Sequence, residues 1–277
     1  MPKRVSTVRG REFGDGVRAA LASAGLSGRG AAELIGWDHA KLSDLINGKG
    51  GSTEVELGVL LGMLRVPPAE RDHLLTLFRE TNRKDWYQPH GQSHPIRPRT
   101  LVEHERKAIQ LISWQLCLVH GLLQIPDYMR AVIASSATAP SRQMEERVAA
   151  RLARQEVFRK GDLQATFYMH EQVLHVPIGG KAVLSEQLYH LLRMSAWSYI
   201  SLRIVPTSVG AHAGLAGPFN MMKFEKYEPV VFLESENSSL AIEAADSVKG
   251  YEMVVKSLER TALDEEQSRG LITQLVT

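Results

Sequence analysis

The sequence predicts an α+β protein, in which an all-α head of five helices precedes an α+β domain with a small, mainly antiparallel sheet. Three observations support this prediction. In residues 1–87 of the 277-residue chain, apolar side chains recur at the three- and four-residue spacing of amphipathic helices. Residues 88–100 contain three prolines and no such periodicity, which is typical of a linker. Residues 101–277 mix helical segments with strand-like runs.

The elements of the head follow from apolar faces and from residues that start or stop helices. Asp38 and either Ser52 or Thr53 are placed to cap helices, and Pro67-Pro68 ends one helix and starts another. The predicted helices are residues 10–24, 26–35, 38–46, 53–66 and 69–81. In the fourth of these, helical spacing predicts a buried face of Val55, Val59, Leu60, Met63 and Leu64.

Helices and strands are interleaved after the linker. Long segments with helical spacing predict the helices, and runs rich in β-branched and aromatic residues predict the strands. The expected helices are residues 101–120, 141–160, 180–199, 240–261 and 264–275, with a short helix opening at Pro126. The expected strands are residues 164–170, 201–206, 219–224 and 229–234.

The segment from Leu26 to Gly48 is the most informative part of the chain. It predicts two short helices that meet in a tight turn at Gly36, with Leu42 and Leu45 at helical spacing in the second. This is the plan of a helix-turn-helix, whose second helix enters the major groove of DNA.

Residues 26–49 closely resemble the Xre/Cro type of helix-turn-helix. The residues that stand where that family places them are Ala32, Gly36, Asn47 and Gly48. Two positions depart from the pattern: Gly28 replaces a glutamine that often holds a phosphate, and Ile46 replaces a frequent glutamate. The resemblance implies DNA binding, and the departures imply a lower affinity than in better-matched relatives.

Four segments of the C-terminal part carry a second resemblance. They are SWQLCLVHGLLQIPDYMRAVI at 113–133, EERVAARLARQEVF at 145–158, VPIGG at 176–180 and VPTSVGAHAGLAGPFNMMKF at 205–224. These segments are similar, in the same order, to the C-terminal domain of WhiJ-like regulators of actinobacteria. The resemblance implies a transcription regulator whose gene often neighbours that of a small partner protein. Such pairs are also described as antitoxin-like, and the resemblance supplies no catalytic residues.

Position in the Xre/Cro pattern assigns candidate DNA contacts. The residues expected to face base edges are His39, Ala40 and Asp44, and those expected to hold phosphates are Arg29, Lys41, Asn47 and Lys49. Asp44 fits least well, because an acid near phosphates is repelled unless it is paired. The alternative is that all seven are ordinary exposed residues on helices kept for packing.

The basic charge of the first part of the chain agrees with a DNA-facing role. Residues 1–99 hold 15 Lys and Arg against 11 Asp and Glu, although the whole chain has a net charge of only +2. An N-terminal arm could add contacts to the DNA backbone or minor groove, or could simply be a solvated tail. Its basic residues are Lys3, Arg4, Arg9 and Arg11.

Apolar and aromatic residues beside loops are the candidate partner or ligand contacts of the C-terminal domain. They are Trp114, Leu122, Leu123, Tyr128, Leu215 and Phe219. If their two segments meet, they would line an apolar groove for a partner segment or an apolar ligand; otherwise they belong to the core. The small-residue loop 209–217 allows three interpretations: a tight crossover between strands, a loop over a pocket, or a docking surface.

Several function classes are excluded by what the sequence lacks. It has no apolar run of the length of a membrane span, no secretory signal, no P-loop, no dinucleotide fingerprint and no G-x-S-x-G, so a cytoplasmic protein that is not an enzyme and needs no cofactor is expected. The histidines His170 and His175 are five residues apart, not the four of a zinc-protease helix, so no metal site is predicted. Apolar neighbours predict a buried, inert thiol at Cys117.

These observations predict a sequence-specific, DNA-binding transcription regulator that acts as a homodimer on a double-stranded operator. Its C-terminal domain would receive a signal from a small partner protein or a small molecule. The competing interpretation is an antitoxin-like interaction module with weak or no specific DNA binding.

Overall fold

The computed structural model describes residues 6–81, 86–89, 99–137, 144–159, 161–235 and 238–276. The chain divides into two compact units, Met1–Trp86 and Tyr87–Thr277. The first is helical and the second combines helices with a mixed sheet, which confirms the predicted fold class. Among the described residues, no helix is long and apolar enough to cross a membrane.

All five predicted helices of the head are present. They are α1 (Val8–Ser23), α2 (Gly28–Leu34), α3 (His39–Ile46), α4 (Glu54–Met63) and α5 (Pro68–Glu80). The start of α4 is a capping box, in which Thr53 Oγ1 accepts from the amide of Glu56 and the Glu56 carboxylate accepts from the amide of Thr53. Pro68 occupies the first position of α5, where its missing amide proton costs nothing.

The predicted buried face of α4 is partly wrong. Leu60 and Leu64 are buried as expected, but Val55, Val59 and Met63 are 78%, 54% and 46% exposed. The buried face instead consists of Leu57, Leu60, Leu61 and Leu64. The helical spacing of apolar residues predicted the wrong face because α4 has apolar side chains on every side. Periodicity alone therefore does not identify the face that packs against the core.

The C-terminal end of α3 touches α1 through glycine. A Cβ on Gly14 would lie 2.1 Å from the carbonyl oxygen of Ile46, and one on Gly10 would lie 2.5 Å from that of Gly48. Arg18 of α1 also donates to the Ile46 carbonyl at 2.5 Å. Helix α3 is therefore seated on α1 by direct backbone contact, which only glycine allows at these two positions of α1.

The predicted N-terminal arm is wrong where it can be checked. Arg9 and Arg11 lie in α1, and Lys3 and Arg4 lie outside the described residues. Arg11 is only 2% exposed and donates to the carbonyl of Ser6 at 2.7 Å. Arg9 forms ion pairs with two glutamates, Glu12 at 3.0 Å and Glu80 at 2.9 Å. Both arginine side chains thus bind groups of the head itself and do not belong to an extended N-terminal arm.

The second unit is built on a mixed sheet. Its strands are β1 (Trp86–Pro89), β2 (Gln110–Gln115), β3 (Gln164–His170), β4 (Ile200–Val205), β5 (Phe219–Lys223), β6 (Val230–Glu234) and β7 (Ser238–Ile242). Their order in the sheet is β1-β7-β6-β5-β2-β3-β4. The sequence predicted a mainly antiparallel sheet without β2 and β7. The pairs β2–β5, β5–β6 and β6–β7 are antiparallel, whereas β2–β3 and β3–β4 are parallel, which the sequence had not predicted.

In the described part of this unit, six α-helices accompany the sheet. They are α6 (Arg99–Lys107), α7 (Pro126–Ser135), α8 (Met144–Gln155), α9 (Lys181–Met194), α10 (Ala245–Thr261) and α11 (Glu265–Val276). Helix α11 and the segment before it cover the outer edge of β4. The amide of Ile204 donates to Ser268 Oγ of α11 at 3.0 Å, and the carbonyl of Ile204 accepts from the amide of Leu263 at 2.8 Å. This edge is therefore closed to pairing with another strand.

Two predicted helices contain strands. The predicted helix 101–120 ends at Lys107 and is followed by β2, and the predicted helix 240–261 overlaps β7 at its start. Residues Leu111 to Trp114 are all buried, so β2 shows no alternation that would mark a strand. The predicted linker 88–100 overlaps β1 and α6 at its two ends, and residues 90–98 lie outside the described residues.

The glycine contact between α1 and α3 gives a stability prediction. Gly14→Ala should destabilise the head by about 1–3 kcal/mol, because a methyl group at 2.1 Å from a backbone oxygen forces the helices apart. Gly28→Ala is the matched control, since its Cβ would meet nothing within 4 Å and alanine favours a helix. Urea denaturation of the full chain, followed by circular dichroism, measures both. Equal stability of the two variants would contradict the backbone contact.

Candidate nucleic-acid interface and the C-terminal loop cluster

Side-chain caps fix the two helices of the motif. Ser27 Oγ accepts from the amide of Gly30 at 3.1 Å and so begins α2. Gly36 turns the chain with φ +67°, a conformation that favours glycine. Asp38 then caps α3 by accepting from the amide of Ala40 at 2.6 Å, as predicted.

Helix α3 has one packed face and one open face. Leu42 and Leu45 are buried in the core of the head, at 1% and 0% exposure. His39 and Ala40, in the first turn, are exposed, and no described part of the head covers them. Side chains at the start of an uncovered helix are available to reach into a groove.

Lys41 is engaged within the head. Its ammonium forms an ion pair with the carboxylate of Glu56 on α4 and lies 4.6 Å from the centre of the Trp37 ring. The hydrogen bond from Lys41 lowers the pKa of Glu56 below its usual range, with a further contribution from the Thr53 amide. Lys41 is therefore held in place beside α4, and a phosphate would have to compete with Glu56 for it.

The other candidate residues surround this open face. Arg29, 82% exposed at its side chain, pairs with Glu33 one turn along α2 at 3.1 Å. Asn47 follows the end of α3, where its side-chain amide nitrogen donates to Ser43 Oγ at 3.3 Å. Lys49 is exposed. Asp44, partly buried on α3, has no ion-pair partner among the described residues. Exposed pairs such as Arg29 with Glu33 contribute little stability, so they give way readily to a phosphate.

The apolar groove predicted for the C-terminal domain is not formed. Five of its six residues are at most 2% exposed: Trp114, Leu122, Leu123, Tyr128 and Phe219. The two segments do meet, as Trp114 Nε1 donates to the carbonyl of Gly214 at 2.7 Å, but they meet inside the core. Only Leu215, at 57% exposure, remains available to a partner.

The loop 209–217 is a tight crossover between β4 and β5. A Cβ on Gly214 would lie 2.6 Å from the Trp114 ring, so the indole requires glycine there. Gly210 and Gly217 have φ of +68° and +138°. Of the three interpretations of this loop, the tight crossover between strands explains its small residues. It does not explain why the apolar side chain of Leu215 is exposed.

The carboxyl ends of the parallel strands bring two histidines together. His170 ends β3, and His212 lies in the loop that follows β4. Their rings are nearly parallel, at 16°, with centroids 6.1 Å apart, and the His212 ring meets the edge of Trp114 at 5.3 Å. This is the edge of a sheet at which α/β proteins often bind ligands.

The surroundings of His212 favour the neutral form of its ring. Burial lowers its pKa below the ordinary value, and the nearby charge of His170 lowers it further. Its Nδ1 accepts from the amide of Gly214 at 3.2 Å, a bond that requires an unprotonated nitrogen. Its Nε2 is buried and has no hydrogen-bond partner among the described residues.

The loop after β2 is fixed by buried amide side chains. Gln187 of α9 accepts from the amide of Ile125 at 2.8 Å and donates to the carbonyl of Leu123 at 2.7 Å. Gln124 donates to the carbonyl of Val119 at 2.7 Å. The segment around LVHGLLQIP is therefore a rigid part of the domain, held by the polar groups that its buried backbone needs.

The thiol of Cys117 is exposed, and the prediction that it is buried is wrong. The residue lies two positions beyond the end of β2, where the chain has left the sheet. Its apolar sequence neighbours belong to the strand on one side and to the fixed loop on the other, so they do not enclose it.

Family models match both units. A helix-turn-helix domain matches residues 12–74, and a domain of unknown function, DUF5753, matches residues 98–274, more than half of the chain. The chain belongs to the DUF5753 family. No curated protein and no solved structure matches the chain. The match to a helix-turn-helix domain confirms the motif that the sequence predicted at Leu26–Gly48.

Sequence reasoning missed three features of these sites. The role of Glu56 as the partner of Lys41 had no signal beyond a carboxylate in the first turn of α4. Gly10 and Gly14 of α1 lie four residues apart on one helix face, a spacing that does indicate close packing. In the DUF5753 domain, the contact between His170 and His212 depends on the parallel pairing of β3 with β4, which the sequence did not reveal.

The two histidines do not form a metal centre by this geometry. Among the described residues, no group of three or more His, Cys, Asp or Glu is arranged to hold a metal ion. Glu171, the residue after His170, accepts from the amide of Thr207 at 2.7 Å, which lowers the pKa of its carboxylate and links the ends of β3 and β4. In the DUF5753 domain, Glu171 thus ties two loops together.

Proposed function

We propose that this protein is a sequence-specific DNA-binding transcription regulator whose head binds an operator through α3. The observation that carries the proposal is the open face of α3, which begins at a capped N-terminus and is seated rigidly on α1. A helix-turn-helix domain uses this face to contact the major groove. The proposal assigns neither unit a catalytic role.

In this arrangement, sequence would be read by the exposed start of α3. His39 would donate to guanine, Ala40 would touch a thymine methyl group, and Asp44 would accept from cytosine. Arg29, Lys41, Asn47 and Lys49 would hold phosphates and so fix the register of the helix. A single head covers only part of an operator, so we propose a homodimer on two half-sites.

We further propose that the DUF5753 domain receives the signal, from a small partner protein or from a ligand. The resemblance to WhiJ-like regulators supports the protein partner, and the exposed Leu215 provides an apolar contact for it. The competing proposal, an antitoxin-like module with weak DNA binding, draws support from Gly28, an unfavourable residue in α2.

The ion pair between Lys41 and Glu56 gives the test of DNA binding. Lys41→Ala should flatten the dependence of log affinity on log salt by about 0.9, as expected for one lost phosphate contact. Glu56→Gln should tighten DNA binding. In the wild-type chain, Lys41 must break its ion pair with Glu56 before it can bind a phosphate, and the variant removes that ion pair. Fluorescence anisotropy of the full chain on duplexes of mixed sequence measures both effects.

Two controls separate this effect from a general change in charge. Glu54→Gln removes a neighbouring carboxylate of α4 that pairs with Arg79 instead, and it should tighten binding less. The double variant Lys41→Ala with Glu56→Gln should lose the gain. Wild-type affinity and salt dependence in Lys41→Ala would contradict the proposed docking of α3.

Leu215 gives the test of the partner. Isothermal titration of the full chain with the small protein encoded beside its gene should release heat, and Leu215→Asp should abolish it while DNA binding is retained. Met253→Asp is the control, because Met253 is another exposed apolar residue of this domain, at 70%, and lies on α10 rather than in the loop. Absence of heat with the wild-type chain would count against the protein partner and favour the ligand.

A further inference from the structure

Three histidines have the same role after the parallel strands. His120, His170 and His212 come after β2, β3 and β4, and each caps a short 3₁₀ helix. In each case, the ring Nδ1 accepts from the backbone amide two positions further along, at 3.1 to 3.2 Å. An imidazole nitrogen accepts a hydrogen bond only while it carries no proton. A proton on Nδ1 therefore breaks a cap of this kind.

A proton added to His212 must enter at the cap. Because Nδ1 accepts from the amide of Gly214, the neutral ring carries its proton on Nε2, which is buried. A second proton must then enter at Nδ1, where it faces the amide proton of Gly214. The His170 ring is nearly parallel and 6.1 Å away, so two charged rings would repel each other. Protonation of His212 thus costs the cap, and a charged His170 opposes it further.

The cap at His212 fixes a turn that carries an exposed apolar side chain. The 3₁₀ helix Ala213–Ala216 contains Gly214, whose amide is bound by His212 and whose carbonyl accepts from Trp114 Nε1 at 2.7 Å. The next residue is Leu215, which is 57% exposed. Loss of the cap removes the bond on the amide side of Gly214 and so loosens the turn on which Leu215 lies.

We propose that His212 is a pH-sensitive switch, which holds the turn Ala213–Ala216 closed while its ring is neutral and opens the turn when it is protonated. The switch changes how Leu215 is presented. It acts on the surface assigned above to a partner, but it rests on contacts within this chain and not on that assignment.

The direction of the pH dependence follows from the surroundings of the ring. In the closed turn, burial lowers the pKa of His212, and the charge of His170 lowers it further. In an open, solvated turn, the pKa returns to about 6.5. The closed turn is therefore fully favoured above about pH 6.5. Below that pH, the ratio of closed to open turns falls by up to about tenfold per pH unit, until the pH reaches the lowered pKa of the closed turn.

The other charged groups near the strand ends are bound to partners of their own. Arg203 of β4 donates to carbonyls at the end of α10. Glu171, beside His170, accepts from the amide of Thr207 and lies 3.9 Å from His175. Its lowered pKa keeps this carboxylate charged in mild acid.

Helix α10 packs against the turn and adds no charge that shifts the pKa of His212. Burial raises the pKa of Tyr251 on this helix, so its phenol stays neutral in acid. Glu252 is partly buried and lies 3.9 Å from Lys223. The remaining charged side chains of α10 are exposed: Asp246, Lys249, Lys256, Glu259 and Arg260.

Amide hydrogen exchange of the full chain, followed by NMR at Gly214, tests the switch without DNA or a partner. Between about pH 7 and pH 5.5, the protection factor of this amide should fall several-fold, within the limit of about tenfold per pH unit. His212→Asn should keep its protection, because an asparagine oxygen accepts the same amide proton and does not titrate. His190→Asn is the control and should lose protection as the wild-type chain does. The pKa of His190 is also lowered by burial, but it lies within α9 and caps no turn.

The part played by His170 has its own test. His170→Asn keeps a side-chain oxygen to cap its own turn but removes the second ring. The pKa of His212, followed by the NMR shifts of its ring protons, should then rise towards its ordinary value, and the fall in protection should end at a higher pH. Wild-type protection at Gly214 that does not change with pH would overturn the switch. An equal loss of protection in His212→Asn would also overturn it.

Discussion

Backbone contact between α1 and the end of α3 is the constraint on which the head depends. Gly14 and Gly10 let the carbonyls of Ile46 and Gly48 approach at distances that no side chain permits. Arg18 adds a hydrogen bond to the same carbonyl of Ile46, which the end of a helix leaves without an intrahelical partner. The position of α3 is thus set by main-chain atoms, whose placement does not vary with rotamers.

This seating explains how a short helix can present a defined surface. Helix α3 has only eight residues, and a helix of that length is not stable alone. Its cap at Asp38, its two buried leucines and its contact with α1 together hold it. The open face is then free to carry polar residues chosen for contact with a partner rather than for packing.

The DUF5753 domain is organised differently, because its most distinctive sequence segments are structural. The segment at 113–133 supplies the end of β2 and the loop fixed by Gln187, and the segment at 205–224 supplies the glycine that Trp114 requires. These segments therefore serve the core, and the surface around Leu215 and the two histidines is where a specific role would lie.

The sequence predicted those parts of the fold that depend on local chemistry. The caps at Asp38 and Thr53, the turn at Gly36 and the break at Pro67-Pro68 act over a few residues, and all are present. It failed where tertiary contacts decide: β2 is buried on both faces and so shows no alternation, and α4 is apolar on both faces and so does not reveal which one packs.

Among the candidate site residues, too, local patterns predicted some features correctly and missed those that depend on contacts between distant segments. The position of α3 could be predicted from its pattern, whereas Lys41 meets a carboxylate 15 residues away, and five of the six expected groove residues are core. Long-range contacts of this kind depend on the packing of whole elements. They have no signature in the spacing of a single segment.

Selection of duplexes from a randomised library by the full chain, at physiological salt, tests the central claim most directly. If two heads bind together and each contacts bases through the open face of its α3, the selected sequences should converge on two related half-sites. The centres of these half-sites should lie about 10 base pairs apart. Bound sequences that remain as random as the starting library would contradict sequence-specific recognition by this helix.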